Sequence, residues 1–126
     1  MNVLIIDDSR TMRRVVRRCL VESGHDALQI VEASNGREAL AVMEEQLPDL
    51  VICDWAMPVM DGITLLKEVR RLDYRLRFGF LTSTATAENW RQASRLGAEF
   101  MLAKPVLTED LCRLLRADAT DAPVPS

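Results

Sequence analysis

Hydrophobic positions fall into short blocks that alternate between two periods. Val3-Leu4-Ile5-Ile6 is an unbroken apolar run that stops at Asp7-Asp8 and predicts a strand. Ser9 then caps a helix. Met12, Val15, Val16, Cys19 and Leu20 recur at i, i+3, i+4, i+7 and i+8, one apolar stripe that Gly24 ends. Leu28-Gln29-Ile30-Val31 predicts a second strand. Asn35-Gly36 turns the chain into a second helix with Ala39, Leu40, Met43 and Leu47 on one face, broken at Pro48. Leu50-Val51-Ile52-Cys53 shows no alternation, as expected of a strand covered on both faces. A loop reaches Gly62, and a third helix carries Ile63, Leu66, Val69 and Leu72. Phe78 to Leu81 predicts a fourth strand, although Gly79 weakens it. Ala87 to Leu96 predicts a helix ended by Gly97. Phe100-Met101-Leu102-Ala103 is a fifth strand, and Thr108 caps a last helix running through Leu115.

Strand then helix, five times over, predicts an α/β fold: a five-stranded parallel sheet, doubly wound, with helices on both faces. Right-handed crossovers leave few ways to connect it. The chain has 126 residues, enough for one core. The expected domain is residues 1–117, with 118–126 as a flexible tail rich in Ala and Pro. A net charge of −3 lacks the basic excess of a nucleic-acid binder. The apolar runs are too short for a membrane span or a signal peptide. Three cysteines without metal-like spacing read as reduced thiols of a cytoplasmic protein. His25, the single histidine, stands in a turn and is given no role.

The chemistry gathers at strand ends. Ligands of open parallel sheets bind outside the carboxyl ends of the strands. Asp7 and Asp8 follow the first strand, Asp54 the third, Thr82 and Ser83 the fourth, and Lys104 the fifth. Taken singly, each has an ordinary reading: helix caps, a turn residue, capping hydroxyls, a surface lysine. Their joint placement at four strand ends is what points to a site. Three carboxylates crowded together resist ionising unless a cation joins them. Mg²⁺, a hard ion that takes oxygen ligands, answers that need. A phosphoryl group suits such a rim, because its oxygens need positive partners. Asp54 can then act as a nucleophile, Thr82 as a donor to a phosphoryl oxygen and Lys104 as a fixed cation.

These residues sit in recognisable motifs: Ile6-Asp7-Asp8-Ser9, Asp54-Trp55-Ala56-Met57-Pro58-Val59-Met60-Asp61-Gly62, Leu81-Thr82, Leu96-Gly97-Ala98 and Ala103-Lys104-Pro105. Through them the chain resembles the response-regulator receiver domains, above all the stand-alone kind used in chemotaxis, over residues 2 to about 116. The resemblance implies a flavodoxin-like strand order 2-1-3-4-5. It implies two-component signalling, in which a histidine kinase or phosphotransfer protein donates a phosphoryl group to Asp54. It makes Asp8, Asp54 and the Ala56 carbonyl ligands of Mg²⁺, Asp7 a support acting through water, Thr82 the switch hydroxyl and Lys104 the phosphate contact. It also makes the Lys104–Pro105 bond cis. Such a domain is a switch, not an enzyme, beyond its own phosphorylation and dephosphorylation.

The departures from the family pattern are Met101 where an aromatic switch residue is usual, Ser83 for the common Ala, and Val106 for a frequent Phe. Phe100 precedes Met101 and should face the other way. Ala56 and Thr84 occupy variable positions that affect dephosphorylation, and Ala56 offers no side chain to place a water. Output is expected on the face of the fourth helix, fifth strand and fifth helix, through Trp90, Arg91, Arg95, Met101 and Arg113. Two rivals stand beside the switch. An aspartate-nucleophile phosphatase would need a second acid at Ala56. A flavin or nucleotide module would need a glycine- or hydroxyl-rich loop where Asp7-Asp8-Ser9 stands.

Overall fold

The computed structural model describes residues 1–25 and 27–116; the expected tail at 118–126 lies outside them. Five strands alternate with five helices: β1 Asn2–Ile6, α1 Arg10–Glu22, β2 Gln29–Ala33, α2 Gly36–Glu45, β3 Leu50–Asp54, α3 Gly62–Arg71, β4 Arg77–Thr82, α4 Ala87–Arg95, β5 Phe100–Ala103 and α5 Thr108–Arg116. All strand pairs are parallel, in the order β2-β1-β3-β4-β5. The expected architecture and strand order both hold.

Side-chain alternation splits the core into two layers. Leu4, Ile6, Val51, Cys53, Phe78, Phe80 and Met101 face α2, α3 and α4. Val3, Ile5, Leu50, Ile52, Leu81, Phe100 and Leu102 face α1 and α5. Phe100 and Met101 thus point to opposite faces, as their spacing requires. Phe80 anchors the first layer, with edge-on contacts to Phe78 and Trp55 at 5.3 and 4.9 Å between ring centres.

Several local expectations shift. Strand β2 begins one residue after Leu28 and continues to Ala33. Its Glu32 is tolerated there because Arg13 and Arg17 of α1 bind its carboxylate at 3.0 and 2.8 Å. Helix α2 ends at Glu45, so Leu47 is not on its face and is exposed; the residue before a proline is driven out of the helical region. Val15 and Leu72 are little more than a third exposed, at the margins of their stripes, while α3 buries Leu65, which the stripe omitted. Thr108 is the first residue of α5, and its hydroxyl donates to Glu22 at 3.4 Å instead of capping α5. Gly79 does not weaken β4. The Phe100 ring packs over it in the adjacent strand, where any β-carbon would overlap the ring.

Candidate functional site

The register brings the sequence-selected residues to one edge. Ile6 pairs Cys53, Asp54 pairs Leu81 and Thr82 pairs Ala103, so the residues that follow these positions share the carboxyl rim. Asp7 and Asp54 are buried at 4% and 8% exposure, while Asp8 is exposed. One carboxylate oxygen from each of the three lies within 4.8 Å of the others, a spacing that lets one cation touch all three. The donor set is all oxygen, which fits a hard divalent ion.

Each group is held by neighbours. Asp7 accepts the Ser9 N–H on one oxygen at 2.9 Å and the Lys104 ammonium on the other at 3.1 Å. Its backbone carbonyl accepts from Arg13 at 2.6 Å. Lys104 also lies 3.4 Å from Asp54 Oδ1. Burial pushes the Asp54 carboxyl above its usual range. The Asp7 charge adds to this, and Lys104 with the Trp55 N–H pulls the other way. Burial works against the Lys104 charge, but the hydrogen bond and charge of Asp7, followed by Asp54, hold the ammonium above its ordinary value. The rim is therefore a carboxylate cluster incompletely neutralised by one lysine.

Thr82 is buried, and its hydroxyl accepts the Thr84 N–H at 3.1 Å and shares a hydrogen bond with the Thr84 hydroxyl at 3.1 Å. Its carbonyl accepts the Lys104 N–H at 2.9 Å, and the Lys104–Pro105 bond is cis, as the resemblance implied. Gly62 lets α3 approach the site, because a β-carbon there would overlap the Asp54 carbonyl. Asp61 caps α3 through Thr64 N–H at 2.9 Å; its position just before Gly62 was the signal for that role.

Asp7, Asp8, Asp54 and Lys104 meet at this rim, and Thr82 ends β4 on the same edge with its hydroxyl bonded to Thr84. Met101 is the exception on the output side. It is 2% exposed in the core, so it offers no docking surface; it pairs with Phe80 of β4 and shares that residue's face, which the helix layer covers. Trp90 is half-buried against the same layer, whereas Arg91, Arg95 and Arg113 are exposed. Thr84 was picked out only as a variable flanking position. Its bonds to Thr82, like the contacts of Asn89, Arg13 and the Trp55 amide, depend on how loop and helix ends meet in space, which spacing along the chain does not encode.

A doubly wound parallel sheet with an acidic, lysine-bridged rim is the class this fold and site define. The response regulator receiver domain model matches residues 3–116. A chemotaxis protein CheY of Bacillus subtilis is 36% identical over 103 residues, covering 82% of this chain and 84% of that protein. The solved structure of Vibrio cholerae CheY4 superposes with a TM-score of 0.81 at 32% identity, covering 91% of this chain and 95% of the other. A protein-glutamate methylesterase/protein-glutamine glutaminase of Paramagnetospirillum magneticum is 38% identical over 113 residues, 86% of this chain but 29% of that protein. The chain belongs to the response regulator receiver domain family. It is a receiver of the CheY-like kind, a component of two-component signal transduction. No helix among the described residues is long and apolar enough to cross a membrane.

Proposed function

We propose that Asp54 is the phosphoacceptor of a Mg²⁺-dependent switch. The carrying observation is the trio of carboxylate oxygens within 4.8 Å of one another, faced by Lys104 at 3.1 and 3.4 Å. Asp8 and Asp54, with the Ala56 carbonyl, would hold the ion. Asp7, whose two oxygens already bind Ser9 and Lys104, would act through water. The ion supplies positive charge for the oxygens of the incoming group. An Asp54 oxygen attacks phosphorus, the phosphorus–nitrogen bond of a donor phosphohistidine breaks, and the imidazole leaves with the electron pair and takes up a proton. Lys104 and the Thr82 hydroxyl bind phosphoryl oxygens. Ala56 supplies no second acid, which leaves the phosphatase reading without its acid/base.

The donor is a histidine kinase or phosphotransfer protein. The output surface is the α4–β5–α5 face, reduced to the Trp90 edge, Arg91, Arg95 and Arg113 now that Met101 is placed in the core. The receiver unit is residues 1–117, the protein acts in the cytoplasm, and its chemistry is confined to its own phosphorylation and dephosphorylation. Incubation with acetyl phosphate and Mg²⁺ followed by intact mass tests the central claim. Wild type gains one phosphoryl group and Asp54→Asn none; a gain in the variant, or none in either, refutes it.

A further inference from the structure

Thr82 can change state only through its side chain. Its backbone is fixed in the β4–β5 ladder opposite Ala103, and its carbonyl is tied to the Lys104 N–H at 2.9 Å. A threonine hydroxyl has one proton and two lone pairs. Thr84 addresses that hydroxyl twice, with its N–H and its own hydroxyl, both at 3.1 Å. An anionic phosphoryl oxygen is a stronger acceptor than the Thr84 hydroxyl. Once one is present, the Thr82 proton goes to it, and the Thr84 hydroxyl becomes the donor. Both lone pairs of Thr82 are then filled by Thr84, and the proton has one direction left.

The other side of Thr84 is tied to α4. Its carbonyl accepts the Asn89 side-chain amide at 2.8 Å and the Thr86 N–H at 2.9 Å. Thr86 caps α4 by accepting the Asn89 N–H at 3.1 Å, and its carbonyl accepts the Trp90 N–H at 2.9 Å. A continuous hydrogen-bonded path therefore runs from the Thr82 hydroxyl through Thr84 to the first turn of α4. Met101, buried in the core with no polar group on its side chain, offers Thr82 no such link.

We infer that Thr84 and Asn89 are positioning residues: Thr84 aims the Thr82 hydroxyl at the phosphoryl group, and Asn89 makes the first turn of α4 follow it. This rests on Asp54 being phosphorylated. When the hydroxyl moves toward the new group, Thr84 moves with it or loses two hydrogen bonds, and its carbonyl draws on Asn89.

The chain has two tryptophans, Trp55 beside the site and Trp90 in the first turn of α4. A Trp55→Phe background leaves Trp90 as the reporter. The full chain is treated with phosphoramidate and Mg²⁺, and emission and intact mass are read on the same sample. The Trp55→Phe parent is expected to change its emission as the phosphoryl group is gained. Thr84→Val and Asn89→Ala should each cut that change at least fivefold per phosphorylated molecule, while Thr84→Ser keeps it. Thr84→Val should also slow phosphorylation severalfold and Thr84→Ser should not. Asn89→Ala trades one helix side chain for a better helix former, so a folding defect in Thr84→Val does not blunt the test. A phosphorylated Asn89→Ala or Thr84→Val protein with the full parental emission change overturns the relay alone, as does a phosphorylated parent with a silent Trp90. No mass gain in the parent overturns the Asp54 reading, and the relay falls with it.

Discussion

Replacing the proposed phosphoacceptor should make the metal-free protein more stable. Two unit charges 4.8 Å apart repel by about 3 kcal/mol at an effective dielectric constant of ~20, and Asp54 has two such neighbours in Asp7 and Asp8. Lys104 at 3.4 Å offsets about 5 kcal/mol of that. The Asp8 contribution is reduced because Asp8 faces water, while the burial of Asp54 adds a desolvation cost of the same sign as the repulsion. A net destabilisation of about 1–2 kcal/mol remains. Asp54→Asn keeps an oxygen for Lys104, which retains Asp7 in any case, and removes the excess charge. Its thermal midpoint in EDTA at pH 7 should rise by roughly 4–8 °C.

The pH dependence has a defined sign. The Asp54 carboxyl titrates above 3.8 in the folded chain, so on raising the pH the unfolded chain loses this proton first. Wild type is therefore most favoured, with respect to this group, below the unfolded carboxylate range. It loses that stability as pH rises through the folded value. The advantage of Asp54→Asn should vanish below about pH 4 and grow as the pH rises through the raised value of the folded Asp54 carboxyl. Mg²⁺ at ten times its dissociation constant should restore about 1.4 kcal/mol to wild type and much less to the variant. A variant less stable than wild type at pH 7 in EDTA, or an equal Mg²⁺ shift in both proteins, refutes the electrostatic account of the rim.

Gly79→Ala should cost about 2–3 kcal/mol in urea unfolding, since the new methyl meets the Phe100 ring in a packed core; a change under 0.5 kcal/mol would contradict that packing. Val59 has φ +71°, and Met60 N–H donates to Pro58 carbonyl at 2.7 Å around it, a tight turn that a β-branched residue enters at a cost. Val59→Gly should stabilise by about 1 kcal/mol, read as a higher denaturant midpoint at unchanged slope. Ala56→Asn puts a side chain able to place water beside the acyl phosphate, and its decay rate should change; an unaltered rate defeats the argument. Trp90→Ala should lower the melting temperature as well as weaken partner binding, because the ring packs on the core; unchanged stability would make Trp90 a purely docking residue.

What the sequence made legible is what two periods and four strand ends can encode. Parallel strands put successive carboxyl ends on one rim, so Asp7, Asp8, Asp54, Thr82 and Lys104 could be gathered without knowing a single distance. Their pattern is one-dimensional. Errors appear where the decisive neighbour lies far along the chain. Glu32 extends β2 because α1, some 15 to 19 residues earlier, brings two arginines to it. Gly79 suits β4 because a ring 21 residues later needs the room. Met101 was placed on the surface by its position in the family and lies in the core by its register, since β5 alternates and Phe100 takes the other face. The same logic separates the two halves of the switch. The acidic rim is written in strand-end residues and can be read from them. Its link to α4 is written in the three-residue path from Thr82 to Thr86, where spacing alone does not distinguish a hydroxyl that binds solvent from one that holds its neighbour.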